Sequence, residues 1–249
     1  MAKRPIFLVT GHLPEFVTEK LIEFEWFPGF SVKQKQRSIK SFHANAKENM
    51  NTIKILEVSS KSDKPLGISL SAFNLNITTN NGKKFSVETA FQASKVFTGG
   101  GPYLDLYEKT SREAKKDSRL KTSGELQYFQ FFNRKWDLEP KTLFYDWLYM
   151  NALAINTDLA EEVLKYDAFT DIEFNPQKSI NCQARSVALF VSLNRAGLLK
   201  EALSSVENYK KLFQGKEDKK DVLINQSSKR SEQLSIFDEY NNKVGSDDE

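Results

Sequence analysis

Apolar positions change period several times along this chain, and the changes divide it into elements. The apolar run at 6–9 has the length of a short strand. Pro28-Gly29 interrupts the cluster Phe24, Trp26, Phe27 and Phe30 before a helical stretch that begins near Ser31. Three β-like runs follow at 53–58, 66–70 and 75–78, divided by the polar loop 59–65, and Asn80-Asn81-Gly82 supplies a turn. Ser86 carries the side chain of a helix N-cap. The spacing after it predicts a helix over 87–97, stopped by the glycine run 99–101, which reads as a C-cap and linker. Charged helical sequence continues to about Lys121, and further helical patterns cover 140–154, with Pro140 in the first turn, then 159–166 and 182–195. The expected fold class is therefore α+β, mainly helical, in one domain with a small N-terminal sheet. Residues 1–52 read as an N-terminal extension packed on a core at 53–213. The polar segment 214–249 reads as a disordered tail.

Composition agrees with one sizeable core: the chain has 249 residues, 39% hydrophobic and 12% aromatic. The net charge of +3 hides a division, because residues up to 213 hold 30 basic against 24 acidic side chains and the tail is acidic. Within the body, 31–47 contains five basic residues and no acid, a surface suited to a polyanion. The lone Cys182 has no intrachain disulfide partner, there is no signal-peptide pattern, and no run approaches the roughly 18 apolar residues of a membrane helix. The cytoplasm is the expected location. His12, His43 and Cys182 are too few for a usual zinc site, and no dinucleotide or phosphate-loop glycine motif is present. No metal and no cofactor is expected.

Three segments concentrate the remaining chemistry. In SVETAFQASKVF, 86–97, helical spacing puts Glu88, Gln92 and Lys95 on one face at i, i+4 and i+7, so a carboxylate and an amine share a stripe. Such spacing usually gives a solvated charge pair, but the surrounding aromatics favour a site. In 131–153, Arg134, Asp137, Asp146 and Trp147 lie among large apolar side chains. In 166–184, Asp171 and Asn181 fall on loops flanking an apolar helix.

Taken in order, these segments resemble the NADAR family. Its pattern is matched by the turn Ser71-Ala72-Phe73-Asn74, by VETAFQASK at 87–95, by Arg134 with Trp136 and Asp137, and by the late pair Asp171 and Asn181. That resemblance spans about 53–198. The stretch EFEWFPGFSVKQKQRSIKSFH at 23–43 is similar to the subgroup encoded beside DarT-type toxins, which attach ADP-ribose to guanine in DNA. Two departures stand out: Ala72 replaces the usual asparagine, and the glycines that commonly flank the late asparagine are missing around Asn181.

The resemblance implies an antitoxin that hydrolyses the N-glycosidic bond between ADP-ribose and guanine. Glu88 would stabilise positive charge at the anomeric carbon or activate water. Lys95 would donate a proton or attack the opened sugar as an imine-forming nucleophile, and Asp171 is the second carboxylate. Ser71, Phe73, Asn74, Gln92 and Asn181 would contact substrate, Trp147 would stack on a base, and Arg134 would pair with the pyrophosphate. Lys33, Lys35, Arg37 and Lys40, beside Trp26 and Phe30, would hold DNA. The tail peptide QLSIFD resembles a sliding-clamp docking motif, with Gln233, Leu234, Ile236 and Phe237 as contacts. The expected partners are ADP-ribosylated DNA, a DarT-type toxin and a sliding clamp, with no membrane. The alternatives are an N-glycosidase of riboflavin-pathway intermediates and a non-catalytic module that binds ADP-ribose or the toxin.

Overall fold

A computed structural model describes residues 1–12, 15–50 and 53–214. The tail peptide 233–238 lies outside the described residues.

The chain opens with a hairpin of β1 (Ala2–Val9) and β2 (Val17–Phe24), followed by α1 (Val32–Asn49), β3 (Ile55–Glu57) and α2 (Pro65–Ser69). A second hairpin, β4 (Asn76–Thr78) and β5 (Lys84–Ser86), runs directly into α3 (Val87–Ala93) and then β6 (Lys95–Phe97). After a 3-10 turn at Leu104–Glu108 come α4 (Ser111–Lys116), α5 (Arg119–Thr122) and the hairpin β7 (Leu126–Phe131) and β8 (Arg134–Trp136). The chain continues through α6 (Leu143–Ile155), α7 (Thr157–Val163), β9 (Ala168–Thr170), α8 (Gln183–Arg195), α9 (Leu199–Ser204) and α10 (Val206–Gln214). The class is α+β with helix predominant.

Side-chain alternation in the four-stranded sheet, ordered β2-β1-β9-β3, decides what lies on each face. Ile6, Ile55 and Ala168 turn to one side, where Ile39, Phe42 and Ala46 of α1 cover them. Their neighbours Phe7, Leu56 and Phe169 turn to the other side, into the main core with α3, α6 and α8. The sheet thus separates α1 from the layer that holds α3. Each large side chain buried here contributes roughly 2–3 kcal/mol, so a one-residue slip that exchanged the faces is strongly opposed.

The segment read as an extension, 1–52, supplies β1 and β2, half of this sheet, as well as the helix on its outer face. The run 66–70 is not a strand but α2. Pro65 at its first turn fits a helix start, and five residues are too few for periodicity to separate the two states. Gly67 is needed there because a Cβ would come within 2.0 Å of the Glu57 carbonyl oxygen. The helix read as 140–154 begins at Leu143, two residues after Lys141, with Thr142 at φ 68° on its N-terminal side.

One buried polar tie joins α6 to α8. Asp146, 3% exposed, accepts from Arg185 Nη1 at 2.5 Å, Ser186 Oγ at 2.6 Å and Thr142 Oγ1 at 2.8 Å. Removing the carboxylate leaves the Arg185 guanidinium partly buried without its counter-charge. Because that side chain is 34% exposed, Asp146→Ala should cost roughly 2–3 kcal/mol, below the usual range for a fully buried pair. Urea unfolding would measure it, and a change within 0.5 kcal/mol, about the size of an ordinary surface substitution, would contradict this account.

Candidate active site

The centre is built from the start of α3. Ser86 caps the helix, accepting from the Thr89 N–H at 3.0 Å, and its Oγ meets Ser111 Oγ of α4 at 2.7 Å. Ser111 also donates to the Phe73 carbonyl at 2.9 Å, so one hydroxyl ties α4, the α3 cap and the 71–74 turn together. Within that turn the Ser71 carbonyl accepts from the N–H groups of Asn74 and Leu75. The Glu88 N–H donates to the Ala72 carbonyl at 2.9 Å.

Every residue of α3 is buried, so its polar side chains must find partners inside. Gln92 Nε2 donates to Glu88 Oε1 at 2.9 Å, and Lys115 Nζ of α4 stands 3.3 Å from the same oxygen. Both of these contacts fall on Oε1. Lys95 Nζ donates to Gln92 Oε1 at 2.8 Å and lies 4.9 Å from the centre of the Phe91 ring. Burial lowers the Lys95 ammonium to about 8; Glu88 works against that shift and Lys115 adds to it.

Lys95 reaches this network from a strand and not from the helix face that its spacing suggested. The helix ends at Ala93, and Lys95 pairs with Phe129 of β7. The glycines 99–101 accordingly make a tight turn after β6 and do not cap a helix. Gly101 has φ 102°, and a Cβ on it would sit 2.4 Å from the Lys95 carbonyl oxygen.

A second carboxylate joins through Gln183, the first residue of α8. Its Oε1 accepts from the Ala72 N–H at 2.7 Å and its Nε2 donates to the Val58 carbonyl at 2.7 Å, beside the Asp171 carboxylate. Ala72 therefore holds both segments through its backbone, its carbonyl accepting from the Glu88 N–H at the start of α3 and its N–H donating to Gln183 at the start of α8. Burial pushes Asp171 up to about 8; the charge of Glu57 adds to this, and hydrogen bonds from the Glu173 N–H and Gln183 oppose it. Glu57, fully buried behind it, is raised by the same desolvation while accepting from Ser59, Thr170 and the Ile172 N–H. Burial also raises the Tyr145 hydroxyl well above its ordinary range, with Glu88, Tyr149, Cys182 and Asp171 adding to it, so Tyr145 stays neutral. Gln183, Tyr145 and Lys115 escape a reading of the sequence. Gln183 and Tyr145 have no local pattern to mark them, and Lys115 lies within an unremarkable run of charges.

The family model for DarT1-associated NADAR antitoxins matches residues 2–222. The chain belongs to that family. Among curated proteins none matches it. The match covers both the α1 region and the Glu88 and Asp171 segments. It gives this NADAR protein an antitoxin role, with a DarT toxin as its counterpart.

The other residues singled out in this NADAR chain fall in varied surroundings. Phe73 is half-buried, with Lys115 Nζ 4.9 Å from its ring centre. Asn74 is exposed, donates to the Ile68 carbonyl and helps line a depression of about 450 Å³ with Asn76, Thr78, Lys84 and Asn156, a hollow that none of Glu88, Lys95 and Asp171 lines. Asn181 is partly buried just before α8. Arg134 lies on the far strand of the sheet β6-β7-β8 and pairs with Glu207 of α10 at 3.4 Å. Trp147 is a correction: it is 1% exposed and packed against Phe131 and Trp136, so its ring has no face open for a base.

Lys35 is a second correction. Successive helix residues turn by roughly 100°, which places Lys35 on the same side of α1 as Ile39, Phe42 and Ala46. There it pairs with Glu173 at 3.0 Å and lies over Trp26 at 4.7 Å, already committed. Lys33, Arg37 and Lys40 share the opposite, exposed side, although Arg37 rests on the Phe27 ring. Phe30 is 98% exposed. Among the described residues no group of three or more His, Cys, Asp or Glu side chains is arranged to hold a metal ion, and no helix is long and apolar enough to cross a membrane.

Proposed function

We propose that this antitoxin is an N-glycosidase that removes ADP-ribose from guanine bases in DNA and so reverses the toxin's modification. The observation that carries the reading is a pair of buried carboxylates, Glu88 and Asp171, on segments joined at the 71–74 turn by the Ala72 backbone, with a depressed lysine beside the first. A surface charge pair has no reason to be arranged in this way; departure of an amine from a sugar does.

The reaction breaks the bond between the ribose anomeric carbon and the guanine amino nitrogen. The bonding electron pair leaves with the nitrogen, which takes a proton, and water supplies the new C–O bond. Asp171, raised to about 8, is the acid in this reading and gives its proton to the leaving nitrogen. Glu88 balances the positive charge that develops on the sugar and accepts a proton from the attacking water. Gln92 and Lys115 fix Glu88 through Oε1. Lys95, lowered to about 8, supplies an amine of which a useful fraction is neutral near physiological pH, as an imine-forming route would require.

The deciding experiment is release of ADP-ribose from an oligonucleotide modified on guanine. Rapid release by the intact protein is expected, and its absence at enzyme excess would sink the reading. Borohydride added during turnover separates the routes. A covalent adduct on Lys95, lost in Lys95→Met, assigns the imine route, and no adduct leaves the direct displacement by water.

A further inference from the structure

Sequence and spacing direct attention to α1 as the DNA-holding surface, yet the sheet stands between α1 and the layer of Glu88. The exposed stripe Lys33, Arg37 and Lys40 also points away from the sheet, opposite the buried Ile39, Phe42 and Ala46. A strand that presented its guanine to Glu88 would have to wrap round the sheet to reach that stripe. Another cationic surface lies next to the site.

We propose that the DNA backbone beside the modified guanine is held by α4, through Arg112 and Lys116, with Lys115 at the mouth of the site. This rests on the glycosidase reading above. α4 touches the site directly, because Lys115 Nζ is 3.3 Å from Glu88 and 4.9 Å from the centre of the Phe73 ring. At roughly 100° per residue, Arg112, Lys115 and Lys116 fall on one side of the helix, away from the buried Ala114, and all three are exposed. Arg112 and Lys116 border a depression of about 600 Å³ that Glu108, Glu113 and Asp117 also line.

Two of the three carboxylates in that depression are matched by cations of the protein, and the third is hydrogen-bonded. Glu108 pairs with Lys83, Asp117 with Arg119 and Lys109, and Glu113 closes the capping box with Thr110. The charges of Glu108 and Asp117 are thus balanced within the protein, whereas Arg112 and Lys116 make no ion pair among the described residues. Two uncommitted cations beside a site for a phosphate-linked substrate fit the spaced charges of a nucleic-acid backbone, and such contacts act by releasing counterions.

The test compares Arg112→Ala/Lys116→Ala with Lys33→Ala/Arg37→Ala/Lys40→Ala. Dissociation constants for a single-stranded oligonucleotide carrying ADP-ribosyl guanine are measured from low to physiological salt, with Glu88→Gln added to every protein so that the ligand is not consumed. Each phosphate contact contributes a slope of about 0.7 in log K against log salt. The α4 double variant should therefore lose about 1.4 from the slope and bind at least fivefold more weakly at low salt. The α1 triple variant should keep the slope of Glu88→Gln alone. The charge-retaining swap Arg112→Lys/Lys116→Arg should keep it too.

An unchanged slope in the α4 variant overturns the proposal, as does a loss confined to the α1 variant. A loss in the charge-retaining swap also overturns it, because the cause would then be a disturbed helix and not a missing charge. Turnover of ADP-ribosylated guanosine, which has no backbone, is followed in parallel, and the α4 variant should lose at least fivefold more on the oligonucleotide than on the nucleoside. If the wild type releases ADP-ribose from neither substrate, the glycosidase reading fails, while the salt slopes still report on α4.

Discussion

Replacing Glu88 with glutamine should lower the turnover rate for ADP-ribose release about 10³-fold, roughly 4 kcal/mol of lost transition-state stabilisation. Glutamine keeps the volume of a side chain that is only 5% exposed and still accepts from Gln92 and Lys115 through one oxygen. What disappears is the negative charge and the carboxylate oxygen that takes a proton. Because the loss belongs to the transition state, KM should change by less than about threefold. The substitution also withdraws the charge that holds the Lys95 pKa up, so that amine should titrate below its present value of about 8. Single-turnover assays with modified oligonucleotide read the first effect. Full release by Glu88→Gln would remove this residue from the chemistry. Lost release with intact protection of cells from the toxin would instead make the protein an antitoxin that acts by binding.

How much of this is legible in the sequence depends on the range of the interaction. The Glu88–Gln92 contact is local, set by i, i+4 spacing behind a capping serine, and it forms as the spacing indicates. Lys95 falls in the expected neighbourhood for a different reason. Nothing within 86–97 reveals that the backbone will pair with β7, more than 30 residues further on. The β2 strand carries charge at Glu19, Lys20 and Glu23 because it is an edge strand with one wet face, which blurs its alternation. β9 is three residues long, too short for any period, yet it is the strand that joins β1 to β3. Lys35 and Trp147 depart from expectation in another way. Angular position on α1 already places Lys35 among apolar residues, and Trp147 sits in a helix whose residues 143–153 are all buried. Gln183 is the contact that sequence does not show: its two hydrogen-bond partners, Val58 and Ala72, come from separate segments and converge only in the folded chain.

The proton on Asp171 should be visible twice, in rate and in stability. If Asp171 is the acid, activity should hold at neutral pH and fall as pH rises through about 8, where the carboxyl loses its proton. Lys95 titrates in the same range, so the profile alone does not choose between them. Substitution does: Asp171→Asn should lower the rate about 10²–10³-fold and flatten the alkaline limb, whereas Lys95→Met should leave a limb near 8 if Asp171 is the acid. The stability readout is independent of turnover. An unfolded aspartate titrates near 3.9, so between about 4 and 8 the folded protein keeps a proton that the unfolded chain has released. The stability linked to that proton is complete below about 4 and is lost as pH rises through 8. An amide in place of this carboxyl cannot titrate, so the melting temperature of Asp171→Asn should rise relative to wild type from about pH 5 to about pH 8. Glu57, raised by its own burial, retains part of the same slope in both proteins. Measurements should stop near pH 8, because the lowered Lys95 pKa makes stability climb with pH above that point. Parallel melting curves for the two proteins across the range would show that Asp171 is already ionised in the folded state, and the leaving nitrogen would then have to take its proton from Lys95.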